Sequence, residues 1–209
     1  MKNTIVLWIM VATCCLQAAA QVRTGSITQY KEFKPATILL SNGQIFRQPL
    51  ANIFLKNSSL LYNSGSQTKE ANMANIQSVT FDDRQYIKID TILAYQVDTV
   101  GHDALYKATV IDLVAYKTLL LNNRQITSLD LGEQISYANV DISTEEDHLF
   151  PLVDKFFYRY KDKFIKVHER EILRVLPKDK RRIFKSYISL PGFSWTDEQS
   201  LLNLLKGIQ

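Results

Sequence analysis

From Ala36 onward, short apolar runs alternate with turn residues, and the length of the runs predicts strands rather than helices. Ala36–Leu40 leads into Ser41-Asn42-Gly43, with Gln44–Arg47 as the return strand. Asn-Gly between two β-prone runs predicts a type I′ hairpin turn, which needs positive φ at both central residues. Pro49 lacks a backbone N–H, so an edge or a bulge is expected there. Three more hairpins follow: Ile53–Leu55 with Ser59–Tyr62, Ile76–Phe81 with Tyr86–Asp90, and Ile92–Val100 with Ala104–Asp112. Asn63–Gln67 reads as a loop. The near-continuous apolar stretch Ile92–Val97 predicts a central strand buried on both faces. Asp112 caps a short predicted helix, Leu113–Leu121, closed by Asn122-Asn123. Ile126–Leu131 and Ile135–Ile142 read as further strands about Gly132.

Beyond Phe150 the pattern changes. Phe156–Tyr160 and Phe164–His168 predict a hairpin across Lys161-Asp162-Lys163, and Phe156, Tyr158 and Tyr160 share one face by the two-residue period. A short helix over Arg170–Leu176 is followed by Pro177, which restarts a helix where a missing N–H does no harm. Ile183, Phe184, Tyr187 and Ile188 form the apolar stripe of that helix, and Pro191-Gly192 stop it. Thr196-Asp197-Glu198-Gln199 reads as a capping box with Thr196 at the N-cap. The last helix then buries Leu201, Leu202, Leu204, Leu205 and Ile208, with Trp195 packing on Phe193. The fold class expected is α+β: a β-rich antiparallel body (36–150, a small barrel or sandwich) followed by a basic β-β-α-α module (151–209).

The first twenty residues change the picture most. Lys2, the apolar run Ile5–Leu16 and Ala18-Ala19-Ala20 have the layout of a secretory signal peptide cleaved after Ala20. The run falls short of the roughly 20 apolar residues a membrane helix needs. Gln21–Pro35 then reads as a polar, loose leader. Both cysteines, Cys14 and Cys15, lie in the segment expected to be removed, so the processed chain has no thiol for disulfides, catalysis or metal binding. The alternative is a lipobox at Val11-Ala12-Thr13-Cys14, which would anchor the chain as a lipoprotein at Cys14. The location expected is therefore exported, in the periplasm or at the outer membrane or beyond, with no membrane-spanning segment after processing.

Composition is that of an ordinary globular protein, 46% hydrophobic and 22% charged. Charge is unevenly shared. Gln21–Asp154 holds 11 basic and 15 acidic residues, whereas Lys155–Gln209 holds 13 basic and 6 acidic. An acidic body with a basic tail suggests two units, with docking of one on the other or on an anionic surface.

Several residues resemble a known group. The Ala18-Ala19-Ala20-Gln21 junction is similar to exported proteins of Bacteroidota bacteria. So is the tail with its aromatic Phe157–Tyr160 strand ("FYRY"), the Pro177–Arg182 segment ("PKDKRR") and Asp197–Leu205 ("DEQSLLNLL"). The resemblance implies location and carries no functional residue. Asp90-Thr91-Ile92 and Asp98-Thr99-Val100 also look like the Asp-Thr-apolar glycan-acceptor pattern of those bacteria.

Catalytic signatures are absent from the sequence: no HExxH, no GxSxG, no phosphate-binding glycine loop, and only seven glycines. No cofactor and no metal site is expected; Glu145-Glu146-Asp147-His148 reads as a solvated acidic loop, and Asp82-Asp83 as a turn. His168 reads as a helix-entry residue. The binding residues expected are the aromatics and bases of the tail: Tyr158, Tyr160, Lys178, Lys180, Arg181 and Arg182. The leading reading is a non-catalytic cell-envelope binding module whose partner is an envelope protein, a glycan or an anionic lipid surface, with no role in nucleic-acid binding. Two alternatives stand beside it: a periplasmic hydrolase pairing Asp82 or Asp103 with His102, and a ligand-binding β-barrel with an apolar cavity.

Overall fold

The computed structural model describes residues 23–122 and 150–209. The expected signal peptide, the Cys14 anchor, the strands at 126–131 and 135–142 and the acidic loop at 145–148 lie outside the described residues.

The strands are β1 (Thr24–Gly25), β2 (Lys34–Leu40), β3 (Ile45–Phe54), β4 (Ser59–Ser64), β5 (Gln67–Glu70), β6 (Ile76–Thr80), β7 (Gln85–Ile89), β8 (Ile92–Val100), β9 (Asp103–Ile111), β10 (Phe150–Tyr160) and β11 (Lys163–Lys166). The helices are α1 (Leu113–Asn122), α2 (Glu169–Val175), α3 (Lys178–Ile188) and α4 (Glu198–Ile208). The architecture is α+β, with the strands in one antiparallel sheet of order β1-β10-β9-β8-β7-β6-β2-β3-β4-β5 and β11 paired to β10. The order does not close on itself, so the body is not a barrel. It does curl: backbone bonds join the β3–β4 turn to β8 (Leu93 N to Ser58 O, 2.8 Å) and the end of β3 to β9 (Ile111 N to Leu55 O, 2.7 Å).

One row of residues crosses nearly the whole sheet. Phe46, Ile38, Val79, Tyr86, Tyr95, Lys107 and Phe156 are paired in turn, strand by strand. Directly opposed residues point to the same side, so this row marks the core face. Ile38, Val79 and Tyr86 anchor one core cluster, and Phe156 belongs to another beneath the C-terminal helices.

The turns follow local chemistry with two corrections. Gly43 has φ +84° while Asn42 does not share a positive φ, and Gly43 N–H bonds back to Leu40 O. The loop is therefore a three-residue turn with glycine in the left-handed position, not type I′. Asn63–Gln67, read as a loop, is a tight hairpin that pairs Ser64 with Gln67 and has Gly65 at φ +64°. The expected bulge is present: Lys34 pairs with Ala51 but Ala36 with Gln48, so β3 carries an extra residue at Pro49-Leu50.

The polar segment before β2 is not a loose leader. Ile27 is completely buried, Thr28 bridges Phe54, and Arg23 pairs with Asp154 at 2.6 Å. Asn52, itself buried, takes the place of a strand neighbour. Its Oδ1 accepts Tyr30 N–H at 3.1 Å, and its Nδ2 donates to Tyr30 O at 2.9 Å.

The tail comprises three helices after the hairpin, and its 150/151 boundary runs through the sheet. β10 pairs with β9 from Leu152 to Arg159. Lys161 and Asp162 both take positive φ, closing the β10–β11 hairpin. The cap of α4 is Asp197 rather than Thr196: its Oδ2 accepts Ser200 N–H at 2.7 Å. Leu201, Leu204, Leu205 and Ile208 are buried on the core face, each stabilising the fold by about 2 kcal/mol. Gly207 permits the close approach of α3, since a Cβ there would meet the Tyr187 ring at 2.3 Å.

Candidate functional site

In α3, Phe184 is buried and Tyr187 and Ile188 pack against the core beneath α4. At 3.6 residues per turn, Lys178, Arg182 and Lys185 then project from the opposite side, and all three are exposed, as is Arg181. Lys180 is half-buried. Arg181 also closes the α2–α3 junction, its Nε donating to Leu176 O at 3.2 Å. Among the described residues, none of Lys178, Lys180, Arg181, Arg182 and Lys185 takes part in an ion pair.

The basic surface is wider than the sequence reading made it. Lys163, Lys166, Arg170 and Arg174 are exposed beside it. In β11 only Ile165 is buried. The alternation of that strand accounts for the exposure of Lys166 but not for that of Lys163, which shares the side of Ile165 by the two-residue period. Of the six acids from Lys155 to Gln209, Asp162, Glu169 and Asp179 are exposed and the other three are engaged. Glu171 pairs with Arg174 at 2.6 Å, Glu198 is bonded to Lys107, and Asp197 caps α4.

Tyr158 and Tyr160 correct the expectation that they belong to an exposed binding surface. They do share a face, but it is the core face: Tyr158 is 0% exposed and its hydroxyl donates to Leu201 O at 2.7 Å. The Tyr160 hydroxyl donates to Ile208 O at 3.3 Å. Burial pushes the Tyr158 pKa up. Both tyrosines fasten α4 to the sheet, and their bonds end on backbone carbonyls of that helix.

The groups considered for hydrolysis are not brought together. Asp103 is buried, and its carboxylate accepts Lys161 N–H at 2.8 Å and the Gln209 amide at 3.2 Å. His102 is exposed in the β8–β9 turn, where its carbonyl accepts from Arg159. Asp83 accepts the Tyr30 hydroxyl at 3.1 Å, and Asp82 is exposed in the β6–β7 turn. His168 caps α2, its Nδ1 accepting Arg170 N–H at 3.3 Å. Among the described residues no group of three His, Cys, Asp or Glu side chains is placed to hold a metal ion.

The best-built charge cluster is structural. Lys107 is bonded to Glu198 and lies 3.7 Å from Asp154, which also takes Arg23 and the Thr109 hydroxyl. Burial disfavours the ammonium, yet the Glu198 bond, Tyr95 and Asp154 outweigh it and raise the Lys107 pKa. A charge kept in this way locks the start of α4 to β9. Tyr86, two strands further along the row, is buried with a hydroxyl that makes no hydrogen bond of good geometry.

The sequence reading missed an apolar groove of about 330 Å³ at the other end of the core face. Ile38, Leu40, Leu60 and Ile76 floor it, the β5–β6 connection closes one side, and Phe46 stands at its mouth. Its nearest sequence signal was the bulge at Pro49. No helix among the described residues is long and apolar enough to cross a membrane. No family model, no curated protein and no solved structure matches this chain.

Proposed function

We propose that the chain is an exported cell-envelope protein that acts by binding, docking its α2–α3 surface on an acidic envelope component. The observation that carries this reading is the row of cations without an ion-pair partner among the described residues on the outer side of α3, Lys178, Arg182 and Lys185 with Arg181 at its flank, against a single exposed acid of that helix, Asp179. Such a surface attracts anions over about a Debye length, some 8 Å at physiological salt. Each Lys or Arg brought to an anionic membrane contributes about 1 kcal/mol. The layout of Met1–Ala20 supports export, and the dispersal of Asp82, Asp103 and His102 favours binding over hydrolysis.

The test is sedimentation of the processed protein with vesicles containing phosphatidylglycerol, and retention on an acidic glycan resin, across a salt series. Binding is expected to fall steeply with salt. The variant Lys178→Gln/Lys180→Gln/Arg181→Gln/Arg182→Gln is expected to bind at least about a hundredfold more weakly, given about 1 kcal/mol per charge. Retention unchanged by both salt and the four substitutions overturns the proposal. Intact mass of the envelope-derived protein checks export, which requires a chain starting at Gln21 or lipidated at Cys14.

A further inference from the structure

Phe46 is 52% exposed, with Ile45 (66%) and Leu50 (44%) beside it on the same strand. The cause lies in the backbone. β3 pairs with β2 through Ile45–Gln48, but β4 joins it only from Ala51 to Phe54. The bulge at Pro49-Leu50 falls between these stretches. Among the described residues, therefore, one side of Ile45–Gln48 has no strand partner, and its outward N–H and C=O groups are available.

Exposed edges are ordinarily guarded by charge. β5, the end strand of the sheet, follows that rule with Gln67, Thr68, Lys69 and Glu70. β3 instead sets Ile45 and Phe46 at its open stretch, next to the apolar groove floored by Ile38, Leu40, Leu60 and Ile76. Arg47 is the one formally charged residue at that groove; next to Phe46 and opposite Thr37, it falls on the other face of the strand by the two-residue period, and among the described residues it has no ion-pair partner.

We propose that this edge and groove bind an extended peptide segment of another protein. The segment adds a strand to Ile45–Gln48, places an apolar side chain in the groove, and sets a carboxylate against Arg47. Strand addition takes affinity from main-chain bonds and specificity from side-chain pockets, and both are present here. A fatty chain would fill the groove but leave the strand edge, and Arg47 on the strand's other face, unmatched, whereas an added strand presents alternate side chains to both faces, so the edge selects a peptide. The site is separate from the basic surface of α3.

The experiment is selection from a displayed library of random short peptides on the full processed chain, with Phe46→Asp protein as the counter-target. Enriched sequences are expected to alternate apolar residues and to carry Asp or Glu. A synthetic peptide of the enriched sequence should bind, and its version N-methylated at alternate residues should bind at least about tenfold more weakly, a difference of 1.4 kcal/mol. Arg47→Glu should abolish the acidic preference while leaving the melting temperature unchanged. Three results overturn the proposal. One is absence of enrichment over the Phe46→Asp protein, and another is equal binding of the N-methylated peptide. The third is a concentration-dependent dimer, seen by sedimentation and abolished by Phe46→Asp, which would assign the edge to a second copy.

Discussion

At the β8–β10 end of the sheet, the core face lies under α4, and Leu105, Phe156 and Tyr158 are sealed from solvent. At the β2–β3 end the same face finishes on Phe46, half-exposed above a groove. Apolar composition alone does not separate the two ends. What separates them is how much of the face the covering segment reaches. Tyr158 and Tyr160 hold α4 by its carbonyls, Lys107 holds Glu198 at its start, and the Gln209 amide reaches Val100 O at its end. Among the described residues, the β2–β3 end has the short connection from Ala71 to Asn75 across it, joined by Ala71 N to Leu60 O and Ser41 N to Asn75 O and by Lys88 Nζ to the Met73 and Ala74 carbonyls. That connection is held as firmly as α4 is, but it is short and leaves Phe46 half-exposed. The apolar face therefore stays partly open, and an open face next to an unpaired strand is suited to a partner.

Truncating each end should show the contrast at its largest. Tyr158→Ala removes a fully buried ring and its bond to Leu201, with an expected loss of about 3–5 kcal/mol by urea unfolding. Phe46→Ala should stay within about 0.5 kcal/mol of the parent. Similar losses at the two positions would mean that Phe46 is covered in solution and that the ends do not differ.

A smaller effect is expected at Asn52, the internal peg of the less covered half. Asn52→Leu leaves the Tyr30 N–H and carbonyl without their partner, at a cost of about 2–3 kcal/mol read from the shift in urea midpoint. A neutral substitution would show that residues 28–32 reorder freely around the change.

The smallest effect sharpens the roofed end. Asp197→Ala should lower stability by about 1 kcal/mol at neutral pH. Its carboxylate accepts the Ser200 backbone N–H, which holds the pKa below the ordinary 3.8. A lowered folded-state pKa means the unfolded chain takes up the proton more readily. The contribution is therefore complete above the ordinary value and is lost as pH falls through the depressed one. Thermal melts of parent and variant should converge as pH drops below about 4. A gap that persists in acid would rule out Asp197 as an ionised cap.

Much of this was legible in local pattern. The hairpins about Asn42-Gly43, Lys56–Ser58, Asp82–Gln85 and Gly101–Asp103, the Asp112 cap, the bulge at Pro49 and the apolar face of α4 follow from turn chemistry and periodicity within a few residues. The bases of α3 were found because Phe184, Tyr187 and Ile188 define its inner side. Other features escaped, two of them for plain physical reasons. Ile27 is a lone apolar residue among polar ones, and no pattern announces that Phe54 and Asn52 will receive its neighbours. The Thr196 cap was off by one because Thr and Asp are both good caps, and only the path of the chain decides between them.

The amino-acid sequence by itself determined which stretches form most of the strands and helices, since these depend on backbone preference and on side-chain period over a turn or a few residues. It also determined that Phe156, Tyr158 and Tyr160 share one side of a strand. Whether that side meets water or α4, whether β4 accompanies β3 along its whole length, and whether the tail stands apart or continues the sheet were settled by tertiary structure. Those outcomes depend on contacts between residues distant in the chain, such as Tyr158 with Leu201 and Lys107 with Glu198, and a two-residue period is the same on a covered face and an open one.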